Sequence, residues 1–107
     1  MDAPIASDPI LSRFRAALAE AYGDRLERVV LFGSRARGDF RSDSDYDIAV
    51  FIRDPENWFN EVVRLADLGT DILLETGAVI SAKPFRAGAW KESPPLMRVI
   101  RREGLDL

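Results

Sequence analysis

The chain has no cysteine and no histidine. The first absence excludes disulfides and thiolate metal sites, and it suits a reducing, cytoplasmic setting. The second means that any metal is bound through oxygen, which favours magnesium, manganese or calcium over zinc. It also restricts a general base to a carboxylate, a lysine, a tyrosine or water. No stretch approaches 18 apolar residues, so no membrane span is expected. The opening segment, "MDAPIASDPI", lacks a basic run followed by an apolar one, so no signal peptide is expected either. Lysine is scarce. Apart from Lys83 and Lys91, every basic side chain is arginine, through either a GC-rich codon habit or a need for planar contact with phosphate or carboxylate. The net charge of −3 argues against a broad phosphate-binding surface.

What is present fits one domain spanning residues 1–107, with 47% apolar and 31% charged residues. Asp8 and Pro9 read as the cap and first position of a helix. Ile10, Leu11, Phe14, Ala17, Leu18 and Ala21 form its apolar stripe, and Gly23 stops it. Residues 28–32, "RVVLF", are apolar without alternation, as in a strand covered on both faces. Gly33 ends that strand, and a turn or single helical turn carries Ser34 to Gly38. Residues 45–52, "DYDIAVFI", read as a second strand. Tyr46, Ile48, Val50 and Ile52 share one face; Asp43, Asp45 and Asp47 share the other.

Asp54 and Pro55 then resemble a second helix start. Phe59, Val62, Val63, Ala66 and Leu73 fit one face of a helix running to Thr76-Gly77. An alternative breaks this helix at Gly69 and makes "TDILLE" a strand. The continuous helix is preferred because the turn signal at Thr76-Gly77 is the stronger one. Residues 78–85 read as a third strand, with Pro84 marking its end or an exposed edge. A closing helix is capped by Ser93 and ended by Gly104. Leu96, Val99 and Ile100 face inward; Arg98, Arg101 and Arg102 face out. The sum is an α/β sandwich: a small mixed sheet of three or four strands against about four helices.

Two carboxylates on one strand face, about 4 Å apart, repel by roughly 4 kcal/mol at an effective dielectric near 20. Solvation, protonation or a bound cation relieves that repulsion. A fraying strand end is the bland explanation for Asp45 and Asp47 alone, and a tight turn is the bland explanation for Gly33-Ser34 alone. Together they stand at the ends of consecutive strands, where phosphates on the turn and a cation on the acids would meet.

The string "GSRARGDFRSDSDYDIAV" resembles the signature of the minimal nucleotidyltransferases, of the DNA polymerase beta-like superfamily. That signature is Gly-Ser-x-Ala-Arg-Gly, five residues, Ser-Asp-x-Asp, then apolar-x-apolar. Gly33, Ser34, Ala36, Arg37, Gly38, Ser44, Asp45, Asp47, Ile48 and Val50 satisfy it. The resemblance implies that Gly33 and Ser34, with Arg37 in the same turn, bind the triphosphate of ATP or another nucleotide. It implies that Asp45 and Asp47 hold Mg2+ or Mn2+ and carry catalysis. It also implies a third carboxylate on the strand after the long helix. That strand, "AVISAKPF", contains no acid; Ile80 or Ser81 stands near the expected place. Asp71 supplies the missing metal ligand only if "TDILLE" is the strand.

Asp39 and Asp43 read as loop acids in preference to acids that support the metal ligands, and Lys83 as an edge-strand lysine in preference to one that points at phosphates. Trp58 and Trp90 read as core or interface anchors. Two functions follow. One is an enzyme moving a nucleoside monophosphate, adenylyl by expectation, to a hydroxyl; the resemblance implies a partner protein, a helical HEPN-type toxin of a toxin–antitoxin pair. The other is a non-catalytic module that binds nucleotide or partner. A globular domain with a chance motif is the third and blandest reading.

Overall fold

The computed structural model describes residues 8–107; residues 1–7, where the signal-peptide reading falls, lie outside the described residues. The element order is α1 (Pro9–Tyr22), β1 (Leu26–Phe32), α2 (Ser34–Arg37), β2 (Tyr46–Ile52), α3 (Trp58–Thr76), β3 (Ile80–Arg86), α4 (Pro95–Glu103) and β4 (Leu105–Asp106). The sheet runs β3-β2-β1-β4. β2 pairs antiparallel with β1 and parallel with β3, so the sheet is mixed. The α/β sandwich expected from the sequence is therefore the observed architecture. No helix is long and apolar enough to cross a membrane among the described residues.

α1 forms where its cap and stripe say it should. The Asp8 carboxylate accepts from the Ile10 and Leu11 amides, and Leu11, Phe14, Leu18 and Tyr22 are buried. They pack on Val29, Leu31, Ile48, Val50 and Ile52, with Leu65 and Ile72 of α3 completing the layer. On the opposite face Val30, Phe32, Ala49 and Phe51 pack under Met97 and Ile100 of α4. The unalternated apolar run in β1 is thus explained: odd and even residues serve different layers.

Several local expectations are corrected. α3 is one continuous helix, but it starts at Trp58 and its cap is Asn57, whose side chain accepts the Asn60 amide at 2.9 Å. Asp54 instead sits in a left-handed turn at φ 45. The buried stripe of α3 is Glu61, Leu65, Gly69 and Ile72. Phe59, Val63 and Leu73, expected inside, are exposed, as is Trp58. Two stripes of helical spacing compete on α3, and the sheet takes the one whose buried charge is matched. The Glu61 carboxylate accepts from the Tyr22 hydroxyl at 2.9 Å, the Glu56 amide at 2.8 Å and Arg25 at 3.2 Å. Gly69 meets only an ordinary van der Waals neighbour in Ile80. α4 is preceded by Pro94 rather than capped by Ser93. It buries Met97 with Ile100, while Leu96 is half-buried. The strand β4, which follows directly, was absent from the sequence reading.

Candidate functional site

β1 delivers the chain to Gly33, which turns at φ 77, ψ −159, a conformation other residues avoid. α2 is a single turn closed by hydrogen bonds from the Ala36 and Arg37 amides to the Gly33 carbonyl. It ends in Gly38, in the left-handed conformation, as a short stop of this kind requires. Arg35 turns back over the following loop. Its guanidinium donates to the carbonyls of Ser42 and Ser44 and stacks on the Tyr46 ring at 3.9 Å. That anchoring sets the loop which presents Asp45.

Phe32, Asp47 and Ser81 stand abreast on three neighbouring strands. The Gly33 corner therefore lies beside Asp47. The approach is close enough that a Cβ on Gly33 would fall against the Asp47 carboxylate. Burial pushes the Asp47 carboxyl above the usual range; Lys83 draws it down, Asp45 pushes it up and Arg37 draws it down. Asp45 itself is exposed, one residue before β2. Gly33, Ser34, Asp45 and Asp47 are thus brought to one sheet end, with Arg37 at its rim.

Asp71 is not. It is exposed on α3, because residues 70–75 are helical and not a strand. Among the described residues no three histidine, cysteine or acidic side chains are grouped to hold a metal ion. Of the acids the sequence offered, Asp45 and Asp47 remain. A partly desolvated carboxylate and an exposed one, both hard oxygen donors on one strand face, fit a single divalent cation well.

Two charged side chains near this end of the sheet were missed or underrated. Glu103, at the end of α4, accepts the Gly33 amide at 3.3 Å and pairs with Arg37 at 3.2 Å. An anion thus already sits on the turn. No local signal marks Glu103, since its partners lie 70 and 66 residues away. Lys83, read as an edge lysine, shares the Asp47 face of the sheet: Ser81, Lys83 and Phe85 are in register with Asp47, Ala49 and Phe51. A cavity of about 490 Å³ lies elsewhere, between Trp58, Phe85, Pro94 and Met97. It is mostly apolar and holds none of the expected residues.

A nucleotidyltransferase domain family model matches residues 11–86. A candidate protein adenylyltransferase of Methanocaldococcus jannaschii is 40% identical over 72 residues, covering 67% of this chain and 66% of that protein. The chain thus spans about two thirds of that relative's length. In three dimensions it is similar to a candidate nucleotidyltransferase from Sulfolobus solfataricus, with TM-score 0.64 and 21% identity over 91% of this chain and 75% of the other. It is also similar to a chain of a toxin–antitoxin structure with AMP-PNP, with TM-score 0.60 and 17% identity over 87% and 68%. At these identities the structural likenesses establish a common fold. The family match covers most of the chain and contains both the glycine-serine corner and the paired aspartates: this protein belongs to the nucleotidyltransferase domain family.

Proposed function

We propose that this protein transfers a nucleoside monophosphate, AMP from ATP, to a hydroxyl on a partner protein. The observation that carries the reading is the packing of Gly33 against Asp47 at the end of two paired strands. A triphosphate lying on the Gly33-Ser34 turn brings its α-phosphorus over the aspartates. Asp45 and Asp47 would hold Mg2+ or Mn2+, whose charge orients the triphosphate and stabilises the leaving pyrophosphate. Arg37 stands where it can reach phosphate oxygens once it parts from Glu103. The acceptor oxygen bonds to the α-phosphorus, the bond to the bridging β-oxygen breaks, and pyrophosphate leaves. The acceptor proton passes to water.

The protein acceptor rests on the adenylyltransferase relative, and the toxin–antitoxin role on the shared fold with such a complex. A helical HEPN-type toxin encoded by an adjacent gene, in the cytoplasm, is the partner proposed. The test combines the protein, that gene product, Mg2+ and ATP labelled at either the α- or the γ-phosphate. Only α-label is expected to reach the partner, and Asp45→Ala or Asp47→Ala should abolish it. Nucleotide binding without transfer, with all four nucleotides and with both Mg2+ and Mn2+, favours the second reading, a binding module. That reading rests on one observation: β3 brings a lysine, and no acid, to the Asp47 face.

A further inference from the structure

β2 and β3 run parallel in unbroken register from Tyr46–Ile80 to Ile52–Arg86, so side chains on paired residues share a face. The face that carries Asp47 receives Ser81, Lys83 and Phe85 from β3 and no carboxylate. The Lys83 ammonium lies 3.5 Å from the Ser81 hydroxyl. Its stem therefore folds back along the strand toward the row that contains Asp47, instead of stretching past the sheet edge. No acid lies within ion-pair distance of Lys83 among the described residues, and Lys83 is exposed. A cationic group thus stands free beside the aspartates, on the strand neighbouring theirs.

We propose that Lys83 takes the place of a second cation, so that the site binds one divalent ion per nucleotide, with the ammonium as the other positive charge on the phosphates. The proposal rests on the nucleotidyl-transfer reading above. The charge balance favours it. Two carboxylates neutralise one dication, and a second dication would need another anionic ligand. Here it would meet the Lys83 ammonium on the neighbouring strand, and such like-charge proximity is costly. Lysine also suits the task, being a compact point charge with three donors that can follow a phosphate as it moves. The arrangement leaves the acceptor hydroxyl without a metal to lower its pKa, so the acceptor proton leaves to water or to a group the acceptor brings.

The test counts ions directly. Protein is titrated with Mn2+ in the presence of α,β-methylene ATP, and free Mn2+ is read by electron paramagnetic resonance. Wild type should bind one ion per protein–nucleotide complex. Lys83→Asp should bind two, because it supplies the anionic ligand and removes the competing charge. Lys83→Ala should still bind one ion, while its affinity for the analogue falls about tenfold or more, the scale of a lost charge-assisted contact. Lys83→Arg should retain most of that affinity. Lys83 is exposed, so the variants should keep the wild-type circular dichroism and melting curve. Two ions of similar affinity in wild type, or unaltered analogue binding by Lys83→Ala, overturns the proposal alone. Failure of wild type to bind the analogue at all overturns the nucleotidyl-transfer reading and the proposal together.

Discussion

Replacing Gly33 by alanine probes the corner on which the site depends. Its backbone, φ 77 and ψ −159, lies in a region essentially restricted to glycine, and forcing another residue there costs about 1–3 kcal/mol. The new methyl also falls against the Asp47 carboxylate, with the Asp47 Cβ at 3.3 Å. Relieving such an overlap costs another ~1–3 kcal/mol, as for overpacking elsewhere. Gly33→Ala should therefore destabilise by roughly 2–6 kcal/mol, a large share of the 5–15 kcal/mol that holds a domain folded. Gly38→Ala is the internal control. Gly38 is also left-handed, at φ 89, but nothing lies within 4 Å of its Cβ position, so only about 1–2 kcal/mol is expected. Urea unfolding at constant m-value measures both. Combining each change with Asp47→Ala separates strain from contact. Asp47→Ala should recover ~1–3 kcal/mol in the Gly33→Ala background and nothing in the Gly38→Ala background. If Gly33→Ala is no worse than Gly38→Ala and shows no coupling to Asp47, the corner does not touch the aspartate and the site falls apart with it.

Asp47→Asn should raise the melting temperature of the metal-free protein at pH 7 while abolishing metal-dependent transfer. Burial raises the folded-state pKa of Asp47 above its unfolded value, so its protonated form suits the fold. That advantage is full below the unfolded pKa and lost as pH rises through the folded one, and a pH series of melts should show the gain fading in acid. Glu61 has the opposite sign. Burial opposes its charge, but the Glu56 amide, Tyr22, Arg64 and Arg25 outweigh burial and hold its carboxyl below the usual range. Its contribution is present above the unfolded pKa and lost as pH falls through the folded one. Glu61→Ala should cost about 1–3 kcal/mol in urea unfolding, because it leaves the buried Tyr22 hydroxyl and the Glu56 amide unpaired while Arg25 and Arg64 stay partly in solvent. Glu103→Gln should loosen the anion that already sits on Gly33 and Arg37, and calorimetry should find ATP bound up to about tenfold more tightly.

The sequence made the site legible where the chemistry is local. The Gly-Ser turn and the two aspartates each lie within a few residues of a strand, and alternation along β2 puts both acids on one face without reference to the rest of the chain. The double-sided burial of β1 was legible for the same reason. The face of α3 was not. Phe59, Val63 and Leu73 make the more apolar stripe, yet the sheet buries the stripe containing Glu61, because Tyr22 and Arg25 arrive from another part of the chain. Glu103 and β4 were equally hidden. β4 is two residues long, and its pairing with Val30 and Leu31 is a tertiary event with no periodicity to announce it. The meaning of Lys83 depended on the register that sets Ala49 beside it, which no single-strand pattern contains.

β3 closes one side of the sheet with Pro84 between Lys83 and Phe85. A proline has no amide hydrogen to offer an incoming strand, and the charged neighbours on this border discourage pairing further. Lengthening the sheet through main-chain pairing is therefore discouraged along this border. If the acceptor is a polypeptide, as proposed above, it would meet this border through side chains rather than through its backbone.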